Sequence, residues 1–266
     1  MADVVEPASW HEGIVARWWA YFRTSGPEVE YFRRFVEAGQ PALDVACGAG
    51  RLLVPYVRDG LDVDGVDVSP DMVAWCAEAA AGVGAAPGLH CQPMHALDLP
   101  RRYRTVYVCG GLGLGSTRAQ DQEALRRIYE HLEPGGRIVL DNEVPYSDEA
   151  TWARWAQRPP ALPEPEAEPG ARRPGPDGRE YALSARMLAL DPVAQQEAWE
   201  IHATQWRDGN LEAEERRRLT VNRYFAGELV LMLERAGFRD VEVRGQYNDA
   251  EPGPADDFLV VVATRA

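Results

Sequence analysis

Between Pro41 and Asn142 short β-rich runs alternate with helical stretches, the runs falling at 42–46, 61–67, 90–94, 105–110 and 137–142. Parallel strands can be joined only by a connection long enough to travel back along the sheet, so this alternation predicts a parallel sheet with crossover helices. The first run leads into Leu43-Asp44-Val45-Ala46-Cys47-Gly48-Ala49-Gly50-Arg51. Gly48 and Gly50 permit a tight strand-to-helix turn and let a ligand lie against bare backbone. The helix after the second run has the clearest start, with Ser69 as hydroxyl cap, Pro70 at the first helical position and Asp71 at the positive end of the dipole.

A nucleotide fold of the nicotinamide type wants a third glycine where this chain has Leu53, so that pyrophosphate can sit on the helix N-terminus. Asp44, just before the turn, would oppose a pyrophosphate but suits a ligand carrying an ammonium and a sulfonium. Asp67 closes the second strand, where its carboxylate would meet a ribose diol through two charge-assisted hydrogen bonds.

The three motifs LDVACGAGR (43–51), GVDVSPDM (65–72) and LEPGGRIVLD (132–141) resemble, in order and spacing, those of the class I methyltransferases that use S-adenosylmethionine. The stretches 217–247 and 256–265 are similar to the close of that fold. The resemblance implies a Rossmann-like α/β fold: a seven-stranded sheet with its last strand antiparallel, helices on both faces, and S-adenosylmethionine across the ends of the first strands, leaving S-adenosylhomocysteine as product. Asp44 and the backbone of Ala46, Gly48 and Gly50 would then face the methionine part, Asp67 the ribose, and Val68 and Met72 the adenine. The family often has glycine at the place of Ala46, and an acid for the adenine amino group where this chain has Pro93. Adenine is therefore expected to rest on backbone groups, Met94 and His95, with Trp19 and Cys109 as further cofactor contacts.

Composition removes other chemistries. All 28 basic residues are Arg, and without lysine there is no P-loop phosphate clamp, kinase strand lysine or Schiff-base nucleophile. A net charge of −14 without a basic domain argues against nucleic acid and anionic membrane partners. The start lacks the basic and apolar regions of a signal peptide, and no run reaches the ~20 apolar residues of a membrane span, so a soluble cytoplasmic protein, monomeric or homodimeric, is expected. Cys47, Cys76, Cys91 and Cys109 have no paired spacing and read as small buried hydrophobes. Asp141-Asn142 matches half of a magnesium site of the catechol type, but the fourth strand ends in Cys109-Gly110-Gly111 without an acid, so no metal is expected.

Segments 7–23 and 27–37 read as helices covering the sheet, giving with it an N-terminal unit over 1–145. Seven prolines within 158–178 make a surface loop. Strand-like runs at 181–190, 194–207 and 211–223, the last two joined by the hairpin signal Asp208-Gly209-Asn210, predict a small antiparallel sheet inserted over 146–223. A helix near 227–236 stopped by Gly237, and a terminal hairpin, complete the core over 224–266.

Methyl transfer from a sulfonium is a direct displacement, needing alignment and exclusion of water, and a base only where the nucleophile must lose a proton. The expected enzyme is an N- or O-directed methyltransferase of a small metabolite, in keeping with secondary metabolism, whose inserted sheet and N-terminal helices roof the pocket. Tyr21, Asn142, Tyr146 and His202 are the candidate catalytic residues, with Glu143 and Tyr224 also within polar reach and His11 and His202 as candidate bases. Trp199, Ile201 and Ala203 share one face of the inserted sheet and His202, Thr204 and Trp206 the other. Aromatic rings there, with Trp18 and Trp19, suit an amine or aromatic substrate. Two alternatives are an oxidoreductase dependent on NAD or NADP and a protein of the same fold that binds the cofactor without transferring methyl.

Overall fold

The computed structural model describes residues 9–144, 162–166, 170–253 and 255–266; Tyr146 and positions 158–161 and 167–169 of the proline-rich stretch lie outside them. The parallel strands are β1 (Ala42–Val45), β2 (Val63–Asp67), β3 (Leu89–Cys91), β4 (Tyr103–Val108) and β5 (Leu132–Glu143). With the terminal pair β10 (Phe238–Arg244) and β11 (Phe258–Arg265) they form one seven-stranded sheet in the order β10-β11-β5-β4-β1-β2-β3. β11 runs antiparallel to both β5 and β10, whereas the other pairings are parallel. An all-parallel dinucleotide sheet has no such strand at this place, and the seven strands with the last one antiparallel are what the resemblance implied.

Alternate residues of each central strand feed opposite cores, as a sheet covered on both faces requires. Val106, Val108, Ile138 and Leu140 pack with Leu125 and Ile128 of helix α5 (Arg118–His131) and Leu229 and Leu233 of helix α6 (Ala226–Ala236). Between them Tyr107 and Val139 face Phe32 and Phe35 of α2 (Pro27–Ala38), Leu53 and Tyr56 of α3 (Leu53–Arg58), and Cys76 of α4 (Pro70–Gly82). The third strand is shorter than expected: after Cys91 the chain breaks into Pro93 and a single 3-10 turn over Met94–Ala96, because proline cannot donate to the ladder.

The inserted sheet contains β6 (Arg173–Pro174), β7 (Glu180–Asp191), β8 (Gln196–Arg207) and β9 (Asn210–Asn222), all antiparallel. Asp208 and Gly209 both take positive φ, 49° and 79°, as a two-residue turn of type I′ demands. One face of this sheet, through Tyr181, Ile201 and Ala203, meets Ile14 and Val15 of helix α1 (Gly13–Phe22). The predicted helix over 7–23 begins only at Gly13. Residues 9–12 form a non-helical strap, and carboxylates far along the chain cap α1: Asp71 accepts the Gly13 N–H (2.7 Å) and Glu215 the Ile14 N–H (3.2 Å).

Candidate active site

Strand order reverses direction between β1 and β4, and in open α/β sheets ligands bind outside the C-terminal ends of the strands at such a point. A cavity opens there, its space including the mouth about 1180 Å³, large enough for a nucleoside with a side chain. Trp19, Asp44, Ala46, Gly48, Asp67, Val68, Met72, Met94, His95 and Cys109 all line it. Gly50 does not. A Cβ added there would press on Val54 and Cys76 at 2.6 and 2.8 Å, so its bareness serves the packing of the turn on α3 and α4. At Gly48, with φ +54°, an added Cβ would meet nothing within 4 Å. Bare backbone thus faces open space, the cradle that a close-lying ligand requires. Ala46 is held at φ +63°, and Gly111 makes room for its methyl, since a Cβ on Gly111 would lie 2.5 Å from it.

Asp67 is oriented by two backbone donors, the Gly48 N–H on Oδ2 (2.9 Å) and the Ser69 N–H on Oδ1 (2.8 Å). Each oxygen keeps a further acceptor position, enough for a diol. Burial raises the Asp67 pKa, and these N–H groups oppose the rise. Asp44, only 3% exposed, makes no ion pair among the described residues; burial above all, with Cys76 and the Asp67 charge, pushes its pKa well up. A buried acid in this state gains from an incoming cation. A ligand with a ribose and an ammonium or sulfonium therefore fits these residues.

Asp141, which matches half of a magnesium site by position, is held by three donors. Its carboxylate receives the Gly110 N–H (2.6 Å), the Cys109 thiol (3.1 Å) and the Tyr247 hydroxyl (2.9 Å), which brace the end of β4, and no metal-ligating cluster occurs among the described residues.

A second cavity adjoins the first, sharing Trp10, Gly110, Gly111 and Leu114, and reaches the inserted sheet through Trp199, Val221, Asn222 and Arg223. Asn142 lines it and donates Nδ2–H to the Tyr224 carbonyl (2.9 Å). Its wall is acidic and aromatic: Asp141 and Glu143 with Trp10, Trp199 and Phe258. Arg223 pairs with Glu143 and with the buried Glu197 (2.9 Å), which also accepts the Trp199 indole N–H (2.8 Å).

The other candidates lie elsewhere. His202 is on the outer face of the inserted sheet, its Nε2 3.0 Å from Glu214, because alternation along β8 turns it away from the Trp199 face. Tyr21 packs edge-on between Trp75 and Tyr181 at the junction of α1 and the inserted sheet. The Tyr224 hydroxyl donates to buried Asp121 (2.5 Å). Sequence reasoning missed Trp10, Arg23, Arg51 and Leu219 in the first cavity and placed His11 there no more firmly than elsewhere. Arg23 makes no ion pair among the described residues, whereas Arg51 pairs with Glu28 and donates to the Cys109 sulfur (3.4 Å). Only the arginine after the glycine turn had a local signal, its place in the motif.

Residues 42–136 match a family model described as a methyltransferase domain. A dTDP-3-amino-3,4,6-trideoxy-α-D-glucopyranose N,N-dimethyltransferase of Streptomyces venezuelae is 30% identical over 100 residues, 37% of this chain and 40% of the relative. The chain thus spans about two fifths of the length of that relative. The CcbJ methyltransferase of Streptomyces caelestis superposes with a TM-score of 0.65 at 24% identity, covering 91% of this chain and 97% of its own. The sugar N-methyltransferase KedS8 of Streptoalloteichus gives 0.64 at 22%, covering 90% and 87%. Over residues 42–136 the chain is thus similar to a methyltransferase domain, and the described chain has the fold of the class I S-adenosylmethionine-dependent methyltransferases.

Proposed function

We propose that the protein transfers a methyl group from S-adenosylmethionine to an amine nitrogen of a small metabolite. The observation that carries this reading is the pairing of cavities: one whose wall holds Asp44, Gly48 and Asp67, and a second, acidic and aromatic, opening from it at Trp10 and Gly110–Gly111. When bound, the cofactor supplies an electrophilic methyl on its sulfonium. Asp44 opposes the positive charge of the methionine part, the bare backbone at Gly48 lets it lie close, and Asp67 grips the ribose. Met94 and His95 border the adenine side.

Nitrogen is favoured over oxygen as acceptor by what surrounds the second cavity. A hydroxyl must shed a proton as it attacks, which calls for a base, whereas a neutral amine attacks through its lone pair and loses a proton afterwards. Among the described residues lining this cavity there is no histidine. Asp141 is engaged by three donors, and Glu143 by Arg223. Trp10, Trp199 and Phe258 offer ring faces that attract cationic character developing on nitrogen. The relatives named as N-methyltransferases support the same choice. The inserted sheet, with the strap and α1, would roof the acceptor and keep out water.

The test is to incubate the protein with S-adenosylmethionine and matched amino and hydroxy forms of small sugars and cyclic compounds, reading methylated product by mass. Methylation of amines alone is expected; methylation of hydroxyl partners alone would overturn the nitrogen assignment.

A further inference from the structure

The strap over residues 9–12 carries a group that the reading above leaves unused. His11 lines the first cavity beside Asp67 and Met72 and takes no part in the lining of the second. Its Nε2 is buried and has no hydrogen-bond partner among the described residues. A buried polar atom left unpaired is costly, and native structures answer such atoms with protein, water or ligand.

The ring packs among aromatic neighbours. It sits edge-on to Trp10 and Trp19, centroids 6.0 and 5.0 Å away at 85° and 72°. Its backbone is tied at both ends: the His11 N–H donates to Ser9 Oγ (3.1 Å), and the Ser69 hydroxyl donates to the His11 carbonyl. Ser69 is also the residue whose N–H fixes Asp67 Oδ1 (2.8 Å). His11 is thus joined through a single residue to the carboxylate assigned to the ribose. Two further bonds anchor the end of the strap, Gly13 N–H to Asp71 of α4 (2.7 Å) and Glu12 to Arg217 of the inserted sheet (3.3 Å). Burial lowers the His11 pKa to about 4, so at neutral pH the ring is uncharged, with one nitrogen a donor and the other an acceptor. A ribose hydroxyl both donates and accepts, and so satisfies Nε2 in either tautomer.

We infer that His11 reads the cofactor's sugar: its Nε2 hydrogen-bonds one ribose hydroxyl of the adenosyl ligand, sharing the sugar with Asp67. This rests on the proposed cofactor. The strap is therefore part of the nucleoside site, and recognition of the ribose is divided between the end of β2 and a segment far from it in sequence.

The test measures binding without turnover, by calorimetry of the full chain with S-adenosylhomocysteine and its 2′-deoxy and 3′-deoxy forms. His11→Phe keeps an aromatic ring between Trp10 and Trp19 and removes both nitrogens; His11→Asn keeps a polar group as a second variant, and melting curves check that both fold. Wild type should bind S-adenosylhomocysteine and lose affinity for each deoxy form. His11→Phe should bind S-adenosylhomocysteine about tenfold more weakly, and should no longer discriminate against one of the deoxy forms, with partial recovery in His11→Asn. Full affinity in His11→Phe, or an equal loss for all three ligands, would overturn the inference and leave His11 a packing residue. Failure of wild type to bind S-adenosylhomocysteine would instead overturn the cofactor reading on which it rests.

Discussion

The wall at the ends of β1 and β2 and the roof formed by the strap and inserted sheet border the same cavities, but they are assembled differently. The wall is local: Asp44, Gly48 and Asp67 lie within a few turns of chain, and the Gly48 N–H bonds directly to the Asp67 carboxylate. The roof is held by bonds between residues far apart in sequence, such as Gly13 to Asp71 and Ile14 to Glu215. A wall of short-range motifs can be kept while the roof is remodelled.

The largest effect should come from cutting the roof from the core. Asp121 of α5 is buried and receives the Asn222 amide (2.8 Å), the Tyr224 hydroxyl (2.5 Å) and the Ser116 hydroxyl (2.5 Å), tying the exit of β9 to the main domain. Asp121→Ala leaves these donors unpaired, and chemical denaturation should show a loss of about 3 kcal/mol. Next, Asp67→Ala should weaken S-adenosylhomocysteine binding by roughly 1.5 to 3 kcal/mol in calorimetry, as for a lost charge-assisted bond, with the melting of the inserted sheet unchanged. Equal damage to the sheet would break the contrast between wall and roof.

Asp44 gives a pH signature of the wall. Its pKa is raised in the folded protein, so the native state holds a proton that the unfolded chain has lost above about pH 4. Its contribution to stability is therefore full at low pH and declines as pH rises through the ordinary carboxylate range toward the raised folded value. Asp44→Asn should remove that decline and be more stable than wild type at pH 8 by about 1 kcal/mol. It should also abolish the proton release that binding of cationic S-adenosylmethionine causes, read from calorimetry in buffers of different ionisation enthalpy. The smallest effect is expected at His202, on the outer face: His202→Ala should change stability by less than about 0.5 kcal/mol and leave cofactor affinity and turnover intact.

The same contrast explains what was legible beforehand. The glycine turn, the Ser69-Pro70 helix start and the Asp208-Gly209 hairpin each depend on neighbours in sequence, and each is where the pattern put it. Alternation along β8 assigned Trp199 and His202 to opposite faces, but which face meets the cavity depends on how the sheet docks. The start of α1 was misread because its caps come from Asp71 and Glu215. Trp10 and His11 had no local signal, since Ser69 and the rings around them place them. The donors on Asp141, from Cys109, Gly110 and Tyr247, come from other segments and leave no mark in its local motif.

The central claim is that the cavity at β1, β2 and β4 binds an adenosyl sulfonium cofactor rather than a dinucleotide. Calorimetric titration of the wild-type protein with S-adenosylmethionine, S-adenosylhomocysteine, NAD and NADP tests it most directly. Saturable binding of the first two, with none of NAD or NADP, is the predicted result; binding of a nicotinamide dinucleotide without either adenosyl compound would contradict the account.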